Sequence, residues 1–247
     1  MTTTVSAGEG VPSAAPSSFA GLTLDRPRLM AVINATPDSF SDGGEAFAVE
    51  DAVRRGPVFL AAGADILDIG GESTRPGAEP VPVAEEIRRV VPVIEALVAE
   101  GALISVDSRR AEVMRAAVNA GARIINDVSA LQGDGALAAA AELAVPVILM
   151  HMQGEPGTMQ DNPTYSDVVA EVRDGLLARA QACREAGIAA KDIALDPGIG
   201  FGKTVAHNLA LLAHLDSLTA IGHPVVLGVS RKSYIARIDR DVPPGER

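Results

Sequence analysis

From Leu29 onward the hydrophobic positions repeat one unit: an apolar run of four to six residues, a polar or glycine-rich connection, then a stretch with apolar residues at helical spacing. The runs at 29–34, 66–69, 103–107, 123–126, 147–150, 193–196 and 225–229 are short and nearly continuous in apolar character. Strands buried on both faces have that pattern, and such strands belong to parallel sheets. Between them, Val83–Ala99 carries Ile87, Val90, Val91, Ile94, Leu97 and Val98 at helical spacing, with Pro92 predicting a kink. Val169, Val172, Leu176 and Cys183 predict another helix, with Tyr165 and Asp167 near its start. A helix is also expected between the first two strands, although Gly56-Pro57 sits inside it. Strands alternating with helices at this spacing predict βαβ units and a parallel sheet. The fold class expected is α/β, a TIM (β/α)8-type barrel with about seven βα units visible.

Composition narrows the picture. The 247 residues suit one barrel, and 47% hydrophobic content with 3% aromatic and no Trp predicts a core of Ala, Val, Leu and Ile. Residues 1–25 are rich in Ser, Thr, Ala, Pro and Gly and read as a disordered tail, leaving 26–247 as the barrel domain. The tail lacks the basic and apolar regions of a signal peptide, and no apolar run approaches the ~20 residues of a membrane span. A cytoplasmic protein with no membrane partner is expected. The net charge of −11 argues against a nucleic-acid partner, because a phosphate backbone demands a basic face. The single cysteine, Cys183, excludes an internal disulfide and falls on the apolar side of its helix, which predicts a buried thiol. The four His residues show no metal-ligand spacing.

The chemistry gathers at strand ends. Asn34, Asp68, Asp107, Asn126 with Asp127, Met150 with His151, Asp196, and residues 230–232 all fall at or near the C-terminal end of an expected strand. Any one of these polar residues could be a helix cap or a turn former. Together they outline the barrel mouth, where active sites of this architecture are built. The stretch IALDPGIGFGKT at 193–204 is the most informative. It delivers Asp196 to a Pro-Gly turn over an apolar floor, where a carboxylate costs several kcal/mol unless cations or N–H donors meet it. That makes Asp196 a hook for a ligand with a guanidine-like edge. A phosphate loop, G-x-x-x-x-G-K-[ST], would share Gly202, Lys203 and Thr204, but its first glycine position holds Pro197, which has no N–H to offer.

These residues lie within ordered motifs: NATPDSFSDGG at 34–44, DIGGESTRPG at 68–77, SVDS at 105–108, INDVS at 125–129, MHMQG at 150–154, DPGIGFGK at 196–203 and SRKS at 230–233. With them the chain resembles the dihydropteroate synthases, pterin-binding enzymes of TIM-barrel fold. The resemblance implies condensation of 6-hydroxymethyl-7,8-dihydropterin pyrophosphate with p-aminobenzoate, giving 7,8-dihydropteroate and pyrophosphate. It implies that Asp107, Asn126, Met150, Asp196 and Lys232 bind the pterin, with Asp107, Asp196 and Lys232 catalytic. It assigns Thr74, Arg75, Pro76, Phe201, Lys203 and Ser233 to the aminobenzoate, and Asn34, Thr74 and Arg75 to the pyrophosphate. Asn34 would also ligate Mg2+, the cofactor implied. Loops 36–44 and 73–81 would close over the substrates, with Arg75 meeting Asp38. A homodimer is the implied assembly. The family also carries a further helix, an eighth strand bearing Arg-x-His, and a closing helix beyond SRKS, whereas this sequence runs from SRKS to DRDVPPGER and Arg247. A fragment with an open barrel is therefore expected, exposing two strand edges. A non-catalytic pterin binder and a pterin-binding methyltransferase are the other readings of the same residues.

Overall fold

A computed structural model of the chain describes residues 16–36, 44–72, 81–154 and 157–238. Six parallel strands form one sheet in sequence order: β3 (Met30–Asn34), β4 (Ile66–Gly70), β5 (Ile104–Asp107), β6 (Ile124–Asp127), β7 (Val147–Met150) and β8 (Ile193–Asp196). Helices α1 (Gly44–Ala61), α2 (Val83–Ala99), α3 (Ala111–Asn119), α4 (Ala136–Leu143), α5 (Val168–Glu185) and α6 (Val205–Ala213) follow the strands in turn, and α7 (Leu215–Thr219) and α8 (Ser233–Ile238) come last.

Six of the seven expected strands are present within a residue of their sequence limits. The seventh, 225–229, differs. It contributes one parallel bridge, Leu195 to Val225, fixed by Leu195 N–H to Pro224 O at 2.8 Å and Val226 N–H to Leu195 O at 2.9 Å. Among the described residues it has no strand on its far side, so its ladder does not extend. The opposite edge, β3, likewise has no second strand partner there, and its inward Val32 is 51% exposed.

Strand pleating divides the apolar residues into two cores. Ile33, Leu67, Ile69, Ile104, Val106, Ile125, Val147, Leu149, Ile193 and Leu195 point outward and pack against the helices. Ile66, Ile124, Ile148 and Ala194 point inward and fill the lower barrel, with Met30, Leu103 and Val226 against them. α1 and α2 run through Pro57 and Pro92, respectively. Gly56 is explained by packing, because a Cβ there would lie 2.2 Å from Leu97 Cδ2 on α2. Asp167 caps α5, accepting from the N–H groups of Val169 and Ala170 at 3.0 and 3.1 Å. Cys183 is buried on that helix, and burial pushes its thiol up to about 11, so it packs and does not react at neutral pH.

The expected disordered tail needs correction over its last part. β1 (Ser18–Phe19) and β2 (Leu22–Thr23) form a small antiparallel hairpin, and residues 1–15 lie outside the description. Phe19 is the reason: it is 6% exposed and joins the inward core beneath Ile66, Ile124, Ile148 and Ala194. The hairpin thus closes the barrel floor. Asp65 secures the link to β3, accepting from Leu29 N–H at 2.9 Å and from Arg26 at 2.6 Å. We expect Phe19→Leu to cost about 1 kcal/mol and to lower Tm by a few degrees in a thermal melt, since it leaves only part of the plug empty.

Among the described residues no helix is long and apolar enough to cross a membrane.

Candidate active site

Strand register sets the site. Asn34, Gly70, Asp107 and Asn126 are successive cross-strand partners on β3 to β6, and Met150 pairs with Asp196 across β7 and β8. Each holds the last inward position of its strand, so one pleat delivers all six to the barrel mouth. Gly70 leaves room for its neighbours to converge: a Cβ there would lie 3.7 Å from both Asn34 Oδ1 and Asp107 Oδ2.

Asp196 is followed at once by a turn, and Gly198 N–H donates to Asp196 Oδ1 at 2.7 Å. That bond fixes the carboxylate plane while the second oxygen stays available. Gly200 N–H donates to Asn208 Oδ1 at 2.7 Å, which anchors the loop to α6. Phe201 and Lys232 meet above it, with Lys232 Nζ 4.1 Å from the Phe201 ring centroid, a cation–π distance. The Lys232 stem passes 3.1 Å from where a Gly200 Cβ would stand. Asp196, Phe201 and Lys232 therefore form one wall, and Asn34, Asp107 and Asn126 the other.

Both aspartates keep an opening to the mouth, yet protein encloses their remaining sides. Burial raises Asp196 to about 6, opposed by the Gly198 N–H and the charges of Lys232 and Lys203 and reinforced by Asp68. Asp107 is held well above the usual carboxylate range, first by burial and then by the negative charge of Asp68, Asp127, Glu86 and Glu72. Burial lowers Lys232, with Asp196 working against it. Such a site favours a ligand with N–H donors on the edge facing the aspartates, and it favours positive charge developing on that ligand.

Lys203 is not a surface lysine. It is 3% exposed, its Nζ donates to the carbonyls of His151 and Phe201 at 3.1 and 2.9 Å, and it lies 3.3 Å from His151 Nδ1. Burial lowers Lys203 to about 7 and His151 to about 4, so a neutral imidazole nitrogen accepts from the ammonium. These contacts tie the loop after β7 to the loop that carries Phe201. Tyr165 adds a tie, donating to Gly202 O at 2.9 Å. The aminobenzoate role expected of Lys203 would thus be exercised through Phe201.

Asn126 and Asp127 stood together in the sequence, but the pleat separates them. Asn126 faces the mouth. Asp127 is fully buried on the other side, accepting from Ser129 N–H, Ser129 Oγ and Leu131 N–H at 2.7, 2.6 and 2.9 Å, and so holds the turn after β6. Thr74, Arg75, Pro76 and Asp38 lie outside the described residues, as does the side chain of Ser233. Asp68, expected at the mouth, lies instead one layer below it, buried with Ser105; Ser105, the small residue at Gly70 and the Gly198 N–H had no role in the sequence reading. Period-2 counting back from Gly70 and Asp107 would have found that pair.

The arrangement can now be set beside known proteins. Residues 30–247 match the family described as pterin binding enzyme. Dihydropteroate synthase of Escherichia coli (strain K12) is 49% identical over 227 residues, covering 92% of this chain and 80% of the relative. The Xanthomonas albilineans dihydropteroate synthase, solved with 4-aminobenzoic acid, superposes with a TM-score of 0.85 at 55% identity, covering 91% of this chain and 81% of that one. The same enzyme in complex with 7,8-dihydropteroate gives a TM-score of 0.82 at 52% identity, over 92% of this chain and 82% of that one. With this identity over some nine-tenths of its length, the chain belongs to the pterin-binding enzymes, among the dihydropteroate synthases.

Proposed function

We propose that the chain condenses 6-hydroxymethyl-7,8-dihydropterin pyrophosphate with p-aminobenzoate to give 7,8-dihydropteroate and pyrophosphate. The observation that carries this reading is that Asp107 and Asn126, cross-strand partners, and Asp196, partner of Met150, each hold the last inward position of their strand, with Lys232 and Phe201 paired on the loops above. Asp196 accepts from the N3–H and 2-amino group of the pterin, and Asn126 completes that polar edge. Asp107 accepts from a ring N–H, Lys232 donates to the ring carbonyl, and Met150 packs on the ring face. Phe201, with Thr74, Arg75, Pro76 and Ser233, receives the aminobenzoate, and Lys203 fixes the Phe201 loop.

The C–O bond to pyrophosphate breaks first and its electron pair leaves with the pyrophosphate, so positive charge spreads from the methylene into the ring. Asp107 and Asp196 face that charge and stabilise it most as it develops. The amine lone pair of p-aminobenzoate then forms the C–N bond, and the nitrogen sheds a proton to solvent. An aniline nitrogen is neutral and nucleophilic at pH 7, so no general base is required.

Among the described residues no group of three or more His, Cys, Asp or Glu is arranged around a metal position. Asn34 Oδ1 and an Asp107 carboxylate oxygen nevertheless both lie 3.7 Å from where a Gly70 Cβ would stand, so hard oxygen donors flank that point of the mouth, and such donors suit Mg2+. Asn34 would hold it together with pyrophosphate oxygens, and the ion would neutralise charge on the leaving group. Thr74 and Arg75 complete the pyrophosphate contacts. The single buried thiol fits a cytoplasmic protein, and family resemblance supports a homodimer.

The test supplies both substrates with Mg2+ and follows dihydropteroate and pyrophosphate together. Stoichiometric release that depends on aminobenzoate is the expected result. Lys232→Ala should lower the rate at least tenfold, the loss of a charged contact, while Lys191→Ala, on an exposed turn, should not. Pterin binding without product at high enzyme concentration would overturn the catalytic reading.

A further inference from the structure

Beneath the mouth the next inward layer is Val32, Asp68, Ser105 and Ile124, again successive partners across β3 to β6. Two polar residues stand in it where apolar packing would be the default. Asp68 is 2% exposed and Ser105 is fully buried. Burying a carboxylate costs several kcal/mol unless its partners are good. Yet Asp68 Oδ1 and Ser105 Oγ have no hydrogen-bond partner of normal geometry. The one well-formed bond runs upward: Asn126 Nδ2 donates to Asp68 Oδ2 at 3.0 Å.

That bond decides how Asn126 faces the ring. An asparagine side chain offers a carbonyl on one side and an NH2 on the other, and nothing in the backbone chooses between them. A carboxylate can only accept, so Asp68 draws the NH2 downward and turns Asn126 Oδ1 toward the mouth. We propose that Asp68 is the positioning residue of the pterin site, setting Asn126 as an acceptor so that this part of the pocket reads a donor edge of the ring. Asp68 does not reach the substrate itself. Burial raises its pKa, and Ser105 and then Asn126 oppose that rise. The inference rests on the pterin-binding reading above and adds to it the direction in which Asn126 is read. It also accounts for the placement of a buried carboxylate two residues before Gly70, where an apolar residue would have packed the barrel more cheaply.

The experiment exchanges the pair. Asp68→Asn replaces an acceptor-only group with an amide that can accept or donate, so Asn126 is no longer obliged to turn its NH2 downward, and Asn126→Asp removes the donor and sets two carboxylates against each other. The double variant restores one donor and one acceptor with the roles exchanged, and it again leaves an acceptor facing the ring. Each single change is expected to raise KM for the dihydropterin pyrophosphate about tenfold, the scale of one charged hydrogen bond, with KM for aminobenzoate unchanged. The double variant should return to within about threefold of the starting enzyme, a strongly non-additive outcome for residues in contact. Additive losses in the double variant, or an unchanged pterin KM in Asp68→Asn, would overturn the proposal. Should a single variant melt too low to assay, the recovery of the double variant over the other single still decides. Failure of the unaltered chain to turn over both substrates would strike the function reading and not this inference.

Discussion

Asp196→Asn is expected to weaken binding of the dihydropterin pyrophosphate by roughly 1.5 to 3 kcal/mol, the range for hydrogen bonds to a charged group. The isosteric amide keeps the oxygen that accepts Gly198 N–H but places an NH2 donor where the ring presents its own donors. The same change should stabilise the ligand-free chain at neutral pH. Asp196 titrates near 6 in the folded state because burial opposes its charge, whereas an unfolded chain releases that proton near 3.8. Between those values the native state holds the extra proton, so this group's contribution to stability falls as pH rises through the window and is lost above about 6. Asparagine carries no such penalty. A gain on the order of 2 kcal/mol at pH 7 is expected, less whatever Lys232 and Lys203 lose with their counter-charge. Calorimetry and thermal melts should therefore move in opposite directions, affinity down and Tm up. Affinity of the unaltered chain should also fall as pH drops through about 6, because the proton competes with the ring for the carboxylate. Unchanged affinity in Asp196→Asn would remove this residue from the site.

What the sequence made legible follows from what strands do to neighbouring residues. Asp107, Asn126 and Asp196 were readable because each closes an apolar run, and a polar residue there must face a mouth or a turn. Asp127 closes a run too, but odd parity turns it to the helix side, where it serves the turn after β6. Asp68 was noticed as a strand-end residue. Its task was hidden because β4 continues two residues further, to Gly70, which lowers Asp68 by one layer. Long side chains were the least legible. Spacing gives the Cα of Lys203, whereas its ammonium goes to the carbonyls of His151 and Phe201, a choice made by backbone that is distant in sequence. The hairpin 18–23 escaped because two-residue strands have no periodicity, and its one informative residue, Phe19, is buried in a cluster whose other members come from four different strands.

The two layers also explain why the site tolerates so much buried negative charge. Burial, and behind it the charge of Asp68, raises the proton affinity of both Asp107 and Asp196, so the empty pocket is electrostatically unsatisfied. A ring that brings N–H donors, and later a positive charge, relieves that strain progressively along the reaction. Interactions that strengthen toward the transition state accelerate the chemistry, whereas a neutral pocket of the same shape would bind the ground state and do little more.

Gly198→Ala is expected to be the most damaging single-atom addition in the site. Gly198 has φ +66, where an alanine loses about 1 kcal/mol before any contact is counted. Its Cβ would then stand 2.0 Å from His151 O, 3.1 Å from His151 C and 3.2 Å from Met150 Cγ. Two of those atoms are backbone at the end of β7, held by His151 N–H to Asp196 O at 2.9 Å, so no side-chain rotation relieves the clash. Either β7 and β8 separate at their C-terminal ends or the turn rebuilds and gives up its bond to Asp196 Oδ1. A loss of about 3 kcal/mol or more is expected, together with a pterin affinity as poor as that of Asp196→Asn. Gly187→Ala provides the comparison: φ there is +99 but nothing lies within 4 Å of the added carbon, so only the conformational cost of about 1 kcal/mol applies. Denaturant unfolding of both variants separates the two contributions. Equal losses would mean that the β7 and β8 loops do not approach as described, and the wall formed by Asp196, Phe201 and Lys232 would have to be rebuilt.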